Sequence, residues 1–492
     1  MNSEARLILG QLLAAGFDGP VIPPEFERLV RQYKVGSVIL FKRNVESFEQ
    51  LRALCGDLRA LIEGETGHAP IIMAGEQGGS VSRVAHIAAQ TPCPMAVGAT
   101  GDRRNARILG KIAGEELRAV GIGMALGPVL DCCANPDNRV IGNRSFGEDP
   151  GRVSQFGVEY MLGVREAGVL CCGKHFPGHG DTAVDSHLAL PVINKPEAAF
   201  RKTDLPPFAA AIENGIEAIM TAHVALPALE PGCVPATVSR RIITGLLREE
   251  LGFRGLILTD GMEMKAVMDL YGMEEATCRA LAAGCDMALI CHSARQAASV
   301  MEHLERALEE GTLETAAVQD HLARVLRLKE KLKPPQGDRA NFGSESQKAA
   351  ARRIMRQSLR LLNAPEGMAL PRLGRSTLFL GVPARPASIA GDETNVNAAE
   401  RFAEFFGGRH YDVMPGPDAL GSAANAVVFL SPHPRMDSLV HIADALAQQG
   451  LPVIAVSLDT PRCLDELHNI VWKIAAWQYD DLSVNALIDF LK

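Results

Sequence analysis

A closed (β/α) barrel followed by a smaller three-layer α/β domain is the architecture that the 492-residue chain predicts, and three patterns predict it. Short apolar runs alternate with amphipathic stretches over the first two thirds of the chain, which implies parallel strands joined by crossover helices. Nearly every run ends in polar residues: Lys42-Arg43-Asn44, Glu76-Gln77, Asp131, Lys174-His175, Thr221-Ala222-His223, Thr259-Asp260 and Cys291-His292. Reactive side chains at successive strand C-termini are the pattern of a barrel; an open doubly wound sheet gathers them at one switch point. A polar, Pro- and Gly-bearing segment then introduces a second α/β alternation.

In chain order, Met1 to Gly19 carries Leu, Ile and Ala around Gln11 and predicts an amphipathic helix with no cleavage site after it. Seven strand candidates follow: Val35–Phe41, Pro70–Ala74, Ile122–Leu130, Val169–Cys172, Glu217–Met220, Gly255–Leu258 and Asp286–Ile290. The eighth strand of a closed barrel is irregular, missed or absent. Between them Asp102–Val120, Gly151–Ala167, Ser239–Leu251, Glu263–Ala283 and Arg295–Gly311 space apolar residues three and four apart, the period of helices that bury one face. The barrel is read as residues 1–332, the linker KPPQGDRANFGSES as 333–346, and the second domain as 347–492. That domain opens with a helix over Gln347–Leu362 and continues through strands at Ser376–Val382, Ala426–Ser431, Val453–Leu458 and Ile470–Ala476.

The formal charge of −8 and the absence of any long Lys/Arg run argue against nucleic acid or an anionic membrane as partner. No stretch of about eighteen apolar residues predicts a membrane span. Eleven cysteines without a CxxC pair suit a reducing compartment, so a cytoplasmic protein acting on a small molecule is expected. The oligomeric state is not legible.

The densest chemistry lies at Lys174 to His187, KHFPGHGDTAVDSH, where three histidines stand among carboxylates and turn-forming Pro177, Gly178 and Gly180. Histidine titrates near neutrality, so a loop that presents it beside a carboxylate moves protons at physiological pH. Two other readings compete: a turn whose polar groups satisfy its own backbone, or a metal site built from His175, His179, Asp181, Asp185 and His187. In GLILTDGMEMK, Asp260 ends an apolar run at the barrel mouth, as a nucleophile or as the cap of the next helix. A nucleophilic carboxylate with a second acid/base group is the machinery of retaining glycoside cleavage. His187 suits the second role, with Asp185 holding its tautomer.

Five ordered stretches resemble the glycoside hydrolase family 3 β-N-acetylglucosaminidases: VGSVILFKRNV from Val35, LGPVLDCCANPDNRVIGNRSFGEDP from Leu126, KHFPGHGDTAVDSH from Lys174, IMTAHV from Ile219, and PATVSRRIITGLLREELGFRGLILTDGMEM ending at Met264. The resemblance implies a TIM-like barrel and a retaining hydrolase that removes a terminal β-linked N-acetylhexosamine without cofactor or metal. It implies Asp260 as nucleophile and an Asp185/His187 dyad as general acid/base. It also implies that Arg144, Lys174 and His175 bond the sugar hydroxyls, with Arg83 and His223 nearby. A charged donor suits a polyol, though Arg144 has Glu148 and Asp149 within reach as ion-pair partners. A histidine in place of a carboxylic acid leaves the site less negative, so phosphorolysis is the alternative to hydrolysis; a non-catalytic sugar-binding protein is the other. The chain departs from the family at Ala74-Gly75-Glu76-Gln77-Gly78-Gly79-Ser80, where Gly75 stands in place of a sugar-binding Asp and Ser80 in place of an Arg. Gly75 leaves room for a sugar substituted or inverted at that hydroxyl, with Glu76 or Gln77 shifted to meet it. From the second domain only His433 suggests a contact with the site.

Overall fold

The computed structural model describes the chain except residues 1–2, 136–137, 183–185, 187–188, 338, 364–367, 386–390 and 392–395. Eight parallel strands close in chain order into a TIM-like barrel: β1 (Leu13–Ala15), β2 (Ser37–Leu40), β3 (Ile71–Ala74), β4 (Met124–Ala125), β5 (Leu170–Phe176), β6 (Ala218–Thr221), β7 (Leu256–Gly261) and β8 (Met287–Ile290). Ala14 closes the ring, facing Leu289 of β8 on one side and Ser37 of β2 on the other.

β1 is the strand the sequence hides. The segment expected to be one helix is instead a helix over Ser3–Gln11 followed by a three-residue, fully buried strand. Only Gly10 and Gln11 interrupt the apolar residues from Leu7 to Ala15, so neither polar punctuation nor alternation marks the change. β5 runs on to Phe176, which puts Lys174 and His175 inside a strand and starts the turn at Pro177.

Helices wrap the barrel, and two of them come unusually close. A Cβ at Gly110 of Arg104–Val120 would lie 2.1 Å from the Tyr160 carbonyl oxygen, and one at Gly163 of Pro150–Glu166 2.1 Å from that of Arg107. Only glycine permits that approach. The helix expected over Glu263–Ala283 splits into Lys265–Tyr271 and Met273–Ala283 at Gly272, whose φ is +70°. Arg241–Glu250 winds as a π-helix.

No helix or strand forms between Leu332 and Ser344 among the described residues. The helix Glu345–Ser358 then starts on a capping box, with Ser344 Oγ accepting from the Gln347 amide and Gln347 Oε1 from the Ser344 amide. A six-stranded sheet follows: β9 (Arg360–Asn363), β10 (Thr377–Leu380), β11 (Arg409–Tyr411), β12 (Asn425–Leu430), β13 (Val453–Ser457) and β14 (Trp472–Ala475). Its order is β9-β14-β13-β12-β10-β11, with β9 antiparallel and the rest parallel. Four strands are expected; β9 and β11 are added. Both are partly exposed edges without apolar alternation, and β9 occupies residues expected to end the preceding helix.

Alternation along β10 builds the three layers. Phe379 packs toward Met355, Phe402 and Leu487 on one face, while Leu378 and Leu380 pack with Leu439 and Ala443 of Met436–Gln448 on the other. Segments that follow β13 and β14 hold the barrel's rim: the Trp477 carbonyl accepts from Asn143 Nδ2 at 3.0 Å, and Arg462, in the 3-10 turn Pro461–Leu464, pairs with Glu148 at 2.6 Å. Asn143 lies in the short 3-10 turn Gly142–Arg144, so these contacts fix the turn that carries Arg144.

Candidate active site

A cavity of about 540 Å³ opens at the C-terminal ends of the barrel strands. Asp260, Arg144, Lys174, His175 and Arg83 all line it, as does Gly75. The fold thus collects these groups from four separate segments of the chain.

Asp260 is the penultimate residue of β7. Its Oδ1 accepts the Gly261 amide at 2.8 Å, a bond within its own strand end that turns the carboxylate away from capping the helix that begins at Lys265. Burial works to raise its pKa, but the nearby His175 and His223 rings, the Gly261 amide and Lys174 outweigh it and hold the carboxyl below the ordinary range. The ionised form is the one a nucleophile needs.

Lys174 and His175 reach the cavity from β5. Burial, reinforced by Arg144 and Arg83, brings the Lys174 ammonium down to about 7. His175 is pushed well below its ordinary value by burial and then by Arg144 and Lys174, so its ring is neutral. Its tautomer is set by Asp131: Oδ2 lies 2.7 Å from His175 Nδ1, while the His175 and His179 amides donate to the same carboxylate at 3.2 and 2.7 Å. Surrounded by donors, Asp131 takes the Nδ1 proton's bond and leaves His175 Nε2 as an acceptor.

Arg144 does not use the neighbouring carboxylates. Asp149 caps the helix Pro150–Glu166 through the Arg152 amide, and Glu148 pairs with Arg462. Arg144 instead donates from Nε to Gln77 Oε1 at 2.9 Å and to the Val140 carbonyl at 2.9 Å. His223, expected near the sugar, sits behind the strand end that carries Asp260. It does not line the cavity; its ring is buried, with Nδ1 2.8 Å from Thr237 Oγ1 and Nε2 3.0 Å from the Gly261 carbonyl, so it steadies the strand end that carries Asp260.

Asp185 and His187 lie outside the described residues. Ser186 between them lines the cavity, with its Oγ 3.1 Å from His179 Nε2 and its carbonyl accepting from the Ala266 amide. His179 is thereby a brace rather than a free ligand, since Thr182 Oγ1 lies 2.9 Å from its Nδ1. Among the described residues no group of three or more His, Cys, Asp or Glu has a metal-binding arrangement.

Around Gly75, a built Cβ would meet Arg83 Nε at 3.5 Å and Val81 Cγ1 at 3.7 Å, ordinary contact distances, so a side chain would fit there. Glu76 is buried, holds Ser82 Oγ at 2.8 Å and does not line the cavity, whereas Gln77 does. Neither Ser80 nor His433 lines it; the His433 ring accepts the Arg435 amide at 3.0 Å. Reasoning from sequence singles out neither Gln77, Asp131 nor Thr237 for these positioning duties. For Asp131 a signal existed, its place at a strand end; for Thr237 none did.

Comparisons with known proteins bear on the family and the fold. Residues 6–328 match the Glycosyl hydrolase family 3 N terminal domain. A protein named beta-hexosaminidase A from Pseudoalteromonas piscicida is 36% identical over 333 residues, 63% of this chain, which spans 56% of that protein's length. A beta-hexosaminidase from Alkalilimnicola ehrlichii is 36% identical over 305 residues, covering 61% of this chain and 85% of its own. The solved structure of a glycoside hydrolase family 3 beta-N-acetylglucosaminidase from Paenibacillus sp. superposes with a TM-score of 0.90 at 29% identity, over 99% of this chain and 96% of that one. With the barrel, its strand-end site and the match over 6–328 in agreement, the chain belongs to glycosyl hydrolase family 3.

Proposed function

We propose that this protein is a retaining β-N-acetylhexosaminidase that releases a terminal β-linked N-acetylhexosamine, N-acetylglucosamine first among them. The observation that carries the reading is the placement of Asp260 at a strand end in a cavity whose other polar walls, Lys174, His175 and Arg144, are donors and acceptors suited to sugar hydroxyls. In the first step an Asp260 oxygen bonds to the anomeric carbon as the glycosidic C–O bond breaks, and the leaving oxygen takes a proton from His187, whose charge Asp185 balances. In the second, water attacks the same carbon while His187 recovers a proton, releasing the sugar and restoring the carboxylate. His175, its tautomer held by Asp131, accepts from a sugar hydroxyl through Nε2. Residues 1–332 are the catalytic unit, 333–346 the connection, and 347–492 a buttress behind the Arg144 turn. Action in the cytoplasm is part of this reading and is supported by eleven free thiols.

The test is hydrolysis of 4-nitrophenyl N-acetyl-β-glucosaminide, with mass spectrometry of the Asp260 peptide after quenching a slowly released 2-acetamido substrate. An adduct of one sugar residue is expected, and Asp260→Asn abolishes both adduct and turnover. Turnover surviving in that variant would exclude Asp260 as nucleophile.

A further inference from the structure

We propose that the N-terminal end of the barrel carries a second binding site, a cavity that takes the phosphate group of a phosphorylated small molecule through Arg254, Arg327 and Lys331. The inference stands apart from the glycosidase reading and concerns the end of the barrel opposite Asp260. Leu256 opens β7 and Asp260 follows four residues on, roughly 13 Å along an extended strand, so a ligand beside Leu256 does not touch the catalytic groups.

A cavity of about 360 Å³ opens there, between the turn that leads into β7, the residues before β6 and the end of the helix Thr315–Lys329. Its floor is apolar, with Ile216, Phe253, Leu256 and Leu328 all buried. Four cationic side chains line it, Arg254, Arg324, Arg327 and Lys331, with one carboxylate, Glu217. That carboxylate is already engaged: Arg165 pairs with one oxygen at 3.0 Å, and the Cys171 amide donates to the other at 3.2 Å. Arg324 is engaged as well, on Asp286 at 2.7 Å. Arg254, Arg327 and Lys331 remain; all three are exposed, and none makes an ion pair or side-chain hydrogen bond with a described residue. Glu213, Glu249 and Glu330 neighbour these walls in sequence but do not line the cavity. A helix dipole draws cations to its C-terminal turn, which accounts for Arg327 but not for Arg254, four residues past the end of Arg241–Glu250. Three cations from two segments thus face one concavity in a chain of net charge −8 and repel one another with no protein anion between them. A phosphate dianion offers acceptor oxygens to all three at once. The volume lies within the roughly 300–1,000 Å³ of small-molecule sites, so the body that carries the phosphate fits over the apolar floor.

The experiment titrates the full-length protein calorimetrically with adenosine 5′-monophosphate, adenosine and inorganic phosphate in buffers of matched ionic strength. The ester is expected to bind with a Kd of about 1 mM or tighter, and more weakly when the series is repeated at higher salt, whereas adenosine gives no saturable heat. Arg254→Gln and the double variant Arg327→Gln/Lys331→Met are each expected to raise that Kd by about threefold to tenfold. The two lie on separate segments, so one still reads the site if the other fails to fold. Lys174→Met, in the catalytic cavity, is expected to leave the Kd unchanged. Inorganic phosphate binding more weakly than the ester assigns the cavity to a phosphorylated metabolite; binding as tightly assigns it to the phosphate group alone, and either supports the site. No saturable heat from either anion up to about 10 mM overturns the inference. So does a Kd unmoved in both cavity variants, or one that rises only in Lys174→Met, which would place the anion at the catalytic mouth.

Discussion

Replacing Lys174 by methionine is expected to strengthen the fold while weakening the reaction, and the size of both effects follows from where the ammonium sits. Burial among Arg144 and Arg83 brings its pKa to about 7 from an ordinary 10.5. At about 1.4 kcal/mol per power of ten, holding the charge inside costs on the order of 5 kcal/mol as an upper bound. The sign is that of a base whose folded pKa is lowered. Between pH 7 and 10.5 the unfolded chain binds the extra proton, so the parent gains stability as pH rises; below pH 7 both states are protonated and the full cost is present. Methionine keeps most of the volume, and Lys174 Nζ hydrogen-bonds no described residue, so the change orphans no partner. The variant is therefore expected to be more stable than the parent at pH 6 by about 2 kcal/mol or more in urea unfolding, with an advantage at pH 9 less than half as large. Lys329, also brought to about 7 by burial, is common to both proteins and cancels in the difference. In the opposite sense, loss of a charged donor to the sugar lowers kcat/KM by about one to two powers of ten. A variant no more stable than the parent at pH 6, or an advantage identical at pH 9, would show that burying the Lys174 charge carries no such cost.

Asp131→Asn leaves an amide facing three N–H groups and is expected to lower stability by about 1.5–3 kcal/mol and to loosen His175, read as a lower urea midpoint with reduced kcat. Gly163→Ala forces a Cβ against the Arg107 carbonyl and is expected to cost about 1–3 kcal/mol. Gly64→Ala, in a helix with nothing within 4 Å, is its control, expected to gain about 0.5–1 kcal/mol in the same assay. Glu116 is buried at the Ala89 amide with its pKa raised to about 8. A raised carboxylate contributes stability below its unfolded value of 4.5 that is lost as pH rises through 8, so Glu116→Gln is expected to match the parent near pH 5 and to exceed it at pH 9 in thermal unfolding.

Local order in the chain carried the barrel far, because parallel strands buried on both faces read as apolar runs and their polar ends mark the mouth. The same logic failed where an element is short or solvated. β1 is three buried residues attached to an apolar helix, and β9 and β11 are edges with little to bury, so no periodicity distinguishes them. Gly110 and Gly163 look like weak points in helices until the facing carbonyl oxygens are seen 2.1 Å from their missing Cβ atoms. His223 illustrates the limit for the site: its position at a strand end is legible, but the direction of its ring, toward Thr237 and the Gly261 carbonyl, is a matter of packing.

Which chemical groups stand at the strand ends is legible along the chain, because residue type and strand period depend only on neighbours in sequence. Equally legible is that Gly75 brings no side chain to its strand end. Packing of the closed barrel, with the second domain against its rim, set what those groups face. It set Asp131 behind His175, gave Arg144 to Gln77 rather than to Glu148, and put Gly75 and Lys42 across the mouth from Asp260. Charge state followed from the same step, since Lys174 is an ordinary lysine until burial beside Arg144 brings its ammonium to about 7. Distances across a barrel are set by ring closure among strands far apart in sequence, and no local pattern encodes them.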